Sequence, residues 1–187
     1  MTEKPVDAFV SAAPRDIPPV TLRPYRPEDC PALLAVFYRA VHEAEPGHAA
    51  CRDAYSRAQR DAWAPLLAGR KAAERESAWA ASLAAHTTLV AEEGETGAPV
   101  GFADLDVKQG YLDRLYVLPV FRGHGIASAL AEALEQAARA AGRTRIFTHA
   151  SLTARPFFER RGYRIVRRQT VERLGVQMEN LVMEKGL

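Results

Sequence analysis

Two hydrophobic periods divide this chain. From Pro27 onward, Leu33, Leu34, Phe37, Tyr38 and Val41 recur at helical spacing, and Pro46-Gly47 stops the run. Glu28 and Asp29 fall in the first turn, where carboxylates meet the positive end of the helix dipole. Before this helix, residues 20–25 alternate and predict a first strand. After it, residues 55–86 are rich in Ala, Arg and Glu around Trp63 and Trp79, and predict two further helices broken near Pro65 and Gly69. At Thr87 the period shortens. Residues 87–92, 100–107 and 111–118 predict three strands, joined through Gly94-Glu95-Thr96-Gly97 and Lys108-Gln109-Gly110. Past Pro119 the helical period returns: Ile126, Leu130, Leu134 and Ala137/Ala138 form an apolar stripe, and Gly142 stands where a helix C-cap glycine belongs. Residues 145–148 predict a short strand, 154–161 a short helix ended by Gly162, and 163–168 with 177–184 a closing pair of strands. This order predicts one mixed α/β domain over residues 20–187, without internal repeats. A loose tail carrying Pro5, Pro14, Pro18 and Pro19 is expected over residues 1–19.

Composition narrows the classes. The 187 residues, 48% apolar and 26% charged, suit one folded soluble domain. A net charge of +2 offers little to a nucleic acid or a membrane surface, and no apolar run approaches the roughly 18 residues that cross a bilayer. Glu3, Lys4 and Asp7 leave the N-terminus without the apolar core of a secretory leader. Cys30 and Cys51 have no metal spacing and read as reduced, half-buried thiols, so a cytoplasmic setting and no metal are expected.

The chemistry concentrates between residues 115 and 128. Leu115-Tyr116-Val117 ends a buried strand, and Arg122-Gly123-His124-Gly125 turns into the helix that starts with Ile126, Ala127 and Ser128. A glycine-rich turn at a helix N-terminus presents several backbone N–H groups backed by the helix dipole, an arrangement that binds phosphate oxygens. The plainer reading is a tight strand-to-helix connection. No Gly-Lys-Ser/Thr follows, so the turn is not a P-loop, and Ser128 stands where a dinucleotide fingerprint needs its third glycine.

Arg122-x-x-Gly125-x-Ala127 resembles the Q/R-x-x-G-x-G/A motif of the GNAT superfamily of N-acetyltransferases. Ala154-Arg155-Pro156-Phe157-Phe158-Glu159-Arg160-Arg161-Gly162-Tyr163 resembles that family's A-x-x-x-Y-E-K-x-G-F segment. The likeness runs over about 20–184 and is weak over 45–86, expected to be a variable helical region on the acceptor side. It implies a twisted mixed sheet with helices on both faces, in which two parallel strands splay apart. It also implies acetyl-CoA as co-substrate, with pantetheine along Leu115, Tyr116 and Val117 and the pyrophosphate on Arg122, Gly123, His124, Gly125, Ile126, Ala127 and Ser128. Phe157, Phe158 and Arg161 would complete the cofactor side. The implied reaction is direct attack of an amine on the thioester, whose carbonyl is polarised by a backbone N–H carried over here to Val117. The acceptor would be a small molecule or peptide, with no nucleic acid and no membrane partner; a homodimer is compatible with the family.

The family's acid–base pair is missing. Phe158 stands at the usual tyrosine, and Tyr111 stands where a glutamate is often found. Tyr111 alternates with Asp113, so both are expected on one face and become the candidates for amine activation and thiolate protonation. His149 and Ser151, before the short helix, are further candidates; packing and solvation explain each of the four equally simply. Seven arginines between Arg155 and Arg173 read either as a rim for the 3′-phosphate or as a solvated face. Trp63 and Trp79 read as pocket walls or as packing anchors. An acyl-CoA sensor without turnover is the competing function.

Overall fold

The alternating stretch after Thr87 forms the centre of one seven-stranded sheet. The computed structural model describes residues 18–43 and 54–187. The expected tail, the Pro46-Gly47 stop and Cys51 therefore lie largely or wholly outside the described residues. In chain order the elements are β1 (Val20–Pro24), α1 (Cys30–His42), α2 (Arg57–Trp63), α3 (Gly69–Ala85), β2 (Thr87–Glu93), β3 (Pro99–Asp106), β4 (Tyr111–Val117), α4 (Ile126–Ala140), β5 (Arg145–Ser151), α5 (Arg155–Arg160), β6 (Arg164–Arg173) and β7 (Val176–Gly186). The sheet order is β1-β2-β3-β4-β5-β7-β6, and only the β4–β5 pair is parallel.

Helix α4 shows why the pattern folds this way. Ile126, Leu130, Leu134 and Ala138 recur every four residues, and each is at most 6% exposed. Burying a side chain of the size of Leu or Ile contributes about 1.5–3 kcal/mol, well beyond the few tenths that separate helix propensities. Packing against the sheet, not propensity, holds the helix. The same stripe position admits Glu135, 2% exposed, because Arg161 and Lys185 reach it at 2.9 and 2.7 Å. Burial alone would raise its pKa, but those two cations outweigh burial and hold the carboxyl below its ordinary value. Glu135 thus ties α4 to the end of α5 and to β7.

On the opposite face α1 and α3 carry aromatic packing. Phe37 meets Trp79 at 5.0 Å and Tyr116 at 4.9 Å, and Trp79 meets Phe102 at 6.0 Å between ring centres. Trp79 is therefore a packing anchor. Cys30 is a free thiol only 2% exposed, more buried than expected from the sequence. Strand β5 runs three residues past its expected end at 148, so His149 and Ser151 lie on the strand itself.

Candidate active site

The site begins with a register change. Arg114 pairs with Asp104 and Leu112 with Leu105, so Asp113 is an extra residue, a β-bulge in β4. The bulge turns Asp113 and Arg114 toward one face, together with Tyr111 and Tyr116. Beyond it β4 leaves β5: parallel partners exist only at Tyr111–Phe147 and Leu112–Thr148. The remaining halves of the two strands splay.

Ladder geometry then says which backbone groups face the gap. Leu118 N–H donates to Val100 O at 2.8 Å, which makes Val100 and Leu118 a hydrogen-bonded pair. Gly101–Val117 and Ala103–Leu115 follow as the alternate, non-bonded pairs. The N–H and C=O of Leu115 and Val117 therefore point away from β3, toward the edge that β5 has vacated. An extended chain laid in the gap would find a strand edge ready to pair.

Immediately after that edge the chain turns into α4. Gly123 and Gly125 have φ of 83° and 80°, and a Cβ built on either meets nothing within 4 Å. Their requirement is conformational, because the left-handed region costs an ordinary residue about 1–2 kcal/mol. Gly125 is the N-cap of α4 and supplies no side-chain cap, and no acid lies in the first turn. The first N–H groups of a 15-residue helix thus receive no side-chain cap. His124 is half-buried between the two glycines. Arg122 donates from Nη2 to Ala40 O at 2.8 Å, which ties the turn to the last turn of α1.

At the closed end of the gap sit two of the four expected acid–base residues. Tyr111 stacks on Phe147 at 5.0 Å, and its Oη lies 3.5 Å from His149 Nδ1, the long edge of hydrogen-bond distance. Burial first, and the Asp113 carboxylate second, push the Tyr111 phenol above its ordinary value, so it keeps its proton. Partial desolvation of its ring, in a residue otherwise exposed, and then Arg167 push His149 down, so it is neutral near pH 7. One group holds a proton and its neighbour can accept one.

Asp113 shares the face of Tyr111, as the alternation implied, but the bulge gives it other company. Arg114 forks onto buried Asp104 at 2.8 and 2.9 Å and lies 3.4 Å from Asp113. His86 Nδ1 meets Asp104 at 2.5 Å, and the Asp104 hydrogen bond raises the His86 pKa. His86, Asp104 and Asp113 bring ligand atoms within 4.8 Å of one another, yet the Arg114 guanidinium occupies their midst and balances their charge. Ser151 is held by the turn into α5, its Oγ accepting from Ala154 N–H at 3.1 Å. Phe158 is 3% exposed and packs edge-on against Phe157 and Tyr163 at 5.1 and 5.0 Å. Arg161 is engaged with buried Glu135, while Arg155 and Arg168 form surface pairs with Glu159 and Glu179.

Three features escaped the sequence. Asp104, His86 and Arg114 form a buried ionic cluster from β3, β4 and the residue between α3 and β2. Tyr55 bridges β5 and β7 near the gap, donating to Glu179 O at 2.6 Å and accepting from Leu152 N–H at 2.9 Å. Asn180, opposite Ser151, has a buried Oδ1 without a hydrogen-bond partner. Each depends on pairings across 10 or more residues of sequence, and none leaves a local signal.

Comparison with known proteins agrees with this geometry. A family model described as an acetyltransferase (GNAT) domain matches residues 51–185. The uncharacterised N-acetyltransferase YafP of Escherichia coli is 34% identical over 164 residues, 88% of this chain and 94% of that protein. A crystal structure from Rhodopseudomonas palustris, described as a GCN5-related N-acetyltransferase, superposes with a TM-score of 0.77 at 36% identity, covering 95% of this chain and 100% of that one. The yncA protein of Salmonella typhimurium, solved with its cofactor acetyl-CoA, shares the fold with a TM-score of 0.60 at 20% identity, covering 90% of this chain and 94% of that one.

Proposed function

Because the chain belongs to the GNAT family of N-acetyltransferases, we propose that it transfers an acetyl group from acetyl-CoA to an amine of a small molecule or peptide. The observation that carries this reading is the vacated edge of β4 running directly into an uncapped, glycine-flanked helix start. One feature suits the extended pantetheine arm and the other its pyrophosphate. The acetyl-CoA complex reported for the Salmonella relative supports the choice of ligand.

Acetyl-CoA supplies an activated thioester carbonyl; this chain supplies position and protons. Val117 pairs with the pantetheine arm, and Leu115 N–H donates to the thioester carbonyl. At about 3.3 Å per residue, Val117 lies roughly 20 Å along β4 from Tyr111 and Leu115 roughly 13 Å, so a proton passing between Tyr111 and the thioester travels through water. A donor aimed where charge develops is worth about 10²–10³ in rate. His149 accepts the proton of the attacking amine, directly or through water, and Tyr111 protonates the departing sulfur. Asp113 keeps Tyr111 protonated by its charge, a role that replaces the direct one expected from the sequence.

Binding and turnover are separable tests. Acetyl-CoA should bind to the purified protein by calorimetry, and free thiol should appear above background when a panel of amines, polyamines and peptides is added. Binding without turnover for any acceptor would favour the sensor reading. No binding would overturn the proposal.

A further inference from the structure

Strand β6 ends at Arg173, and the turn beyond it, Leu174-Gly175, holds φ of 51° and 75°. Both central residues of a tight two-residue hairpin turn take positive φ, which suits glycine and disfavours leucine. Leu174 is nevertheless there, and 75% exposed, so burial does not compensate. The turn brings Arg173 across the end of α2, with its Cζ 5.0 Å from the Trp63 ring centre. From α3, Arg75 approaches with its Cζ 5.6 Å from the Phe37 ring centre. Between them lies a cavity of about 240 Å³ lined by Trp63, Pro65, Arg75, Glu172, Arg173 and Leu174.

Arg75 is half-buried and Arg173 exposed, whereas Arg23, Arg114 and Arg161 each lie against a carboxylate at 2.8–2.9 Å. Among the described residues, Arg75 and Arg173 have no carboxylate within 4.0 Å and make only ring contacts. Burial, and then the charge of Arg173, lower the pKa of Arg75, so the two cations oppose each other across the cavity. The cavity also touches the reaction path. Trp63 Nε1–H donates to Tyr116 Oη at 3.1 Å, and Tyr116 stands between Leu115 and Val117 on the splayed strand.

We propose that this cavity receives a carboxylate of the acceptor, held between Arg75 and Arg173, so that an amine at the acceptor's other end enters the gap between β4 and β5. Glu172 on the rim leaves the cavity with two positive charges against one negative, which suits a monoanion. Trp63 and Pro65 provide an apolar wall for the carbon chain that joins carboxylate and amine. This inference rests on the acetyltransferase reading and names the class of acceptor within it: amines with a carboxylate remote from the nitrogen.

The test uses matched pairs, the ω-amino acids of two to five methylenes and their carboxamides, with acetyl-CoA. A hydrogen bond to a charged group contributes about 1.5–3 kcal/mol, so at least one acid should exceed its amide by roughly tenfold or more in kcat/KM. Arg75→Gln and Arg173→Gln should each bring that ratio close to one, mainly through KM. Equal use of acid and amide, or variants that keep the ratio, would overturn the proposal while leaving acetyl transfer intact. If neither series is turned over, the same compounds titrated against tryptophan fluorescence decide. Acids but not amides should change the signal, and Trp63→Phe should remove the change; an identical response to both overturns the proposal. Acetyl-CoA binding, measured separately, reports on the acetyltransferase reading alone.

Discussion

At the scale of single residues, the reading turns on which side chain carries a proton near pH 7. Partial desolvation and Arg167 keep His149 below the ordinary value of about 6.5, so its accepting form dominates at neutral pH and is lost as pH falls. The expected kcat/KM profile has an acid limb centred below that value, and His149→Ala should remove the limb and lower the plateau. An unchanged limb in the variant would move the base to Asp113 or to the substrate. Tyr111→Phe should lower kcat by about 10²-fold or more, the lower range for a general acid, and leave acetyl-CoA affinity unchanged. Rate measurement with parallel calorimetry checks both halves. Tyr111 and Asp113 were readable in the sequence as neighbours on a strand. That His149 lies beside Tyr111 was not, because its distance from Tyr111 depends on the two-residue parallel pairing of β4 and β5.

At the scale of elements, the bulge at Asp113 is held by a buried ionic cluster. Asp104 is fully buried and answers both Arg114 and His86. Removing one member of a buried pair strands the other charge, at a cost of about 3–5 kcal/mol. Asp104→Ala should therefore lower the melting temperature by roughly 6–20 °C, given about 2–4 °C per kcal/mol in a chain of this size. The pH dependence has a definite sign. His86 has a raised pKa in the fold, so its contribution is full below the unfolded value of about 6.5 and fades as pH rises through the folded value. His86→Ala should flatten that part of the stability profile. Helix α4 was legible because its stripe is buried. Strand β6 was read five residues too short because its side chains are mostly exposed: backbone pairing with β7 holds it, and backbone pairing leaves no hydrophobic pattern.

At the scale of the molecule, ligand and fold are linked. A ligand at a hundred times its Kd stabilises the native state by about 2.7 kcal/mol, so saturating acetyl-CoA should raise the melting temperature by roughly 5–10 °C. Gly125→Glu should abolish that rise, since it adds an anion and strain at the helix start; the unliganded variant should still melt cooperatively, because its new side chain meets no neighbour. A preserved rise would make the turn merely structural. The sequence by itself determined the order of elements, the glycine turn and the family, because periodicity, turn chemistry and motif spacing are local properties. Strand register and packing alone decided that Asp113 bulges toward Asp104, that Tyr111 meets His149, and that Arg75 and Arg173 converge on one cavity. Those arrangements join positions 9 to 98 residues apart, and strand register and helix packing, which no short window of sequence contains, set them.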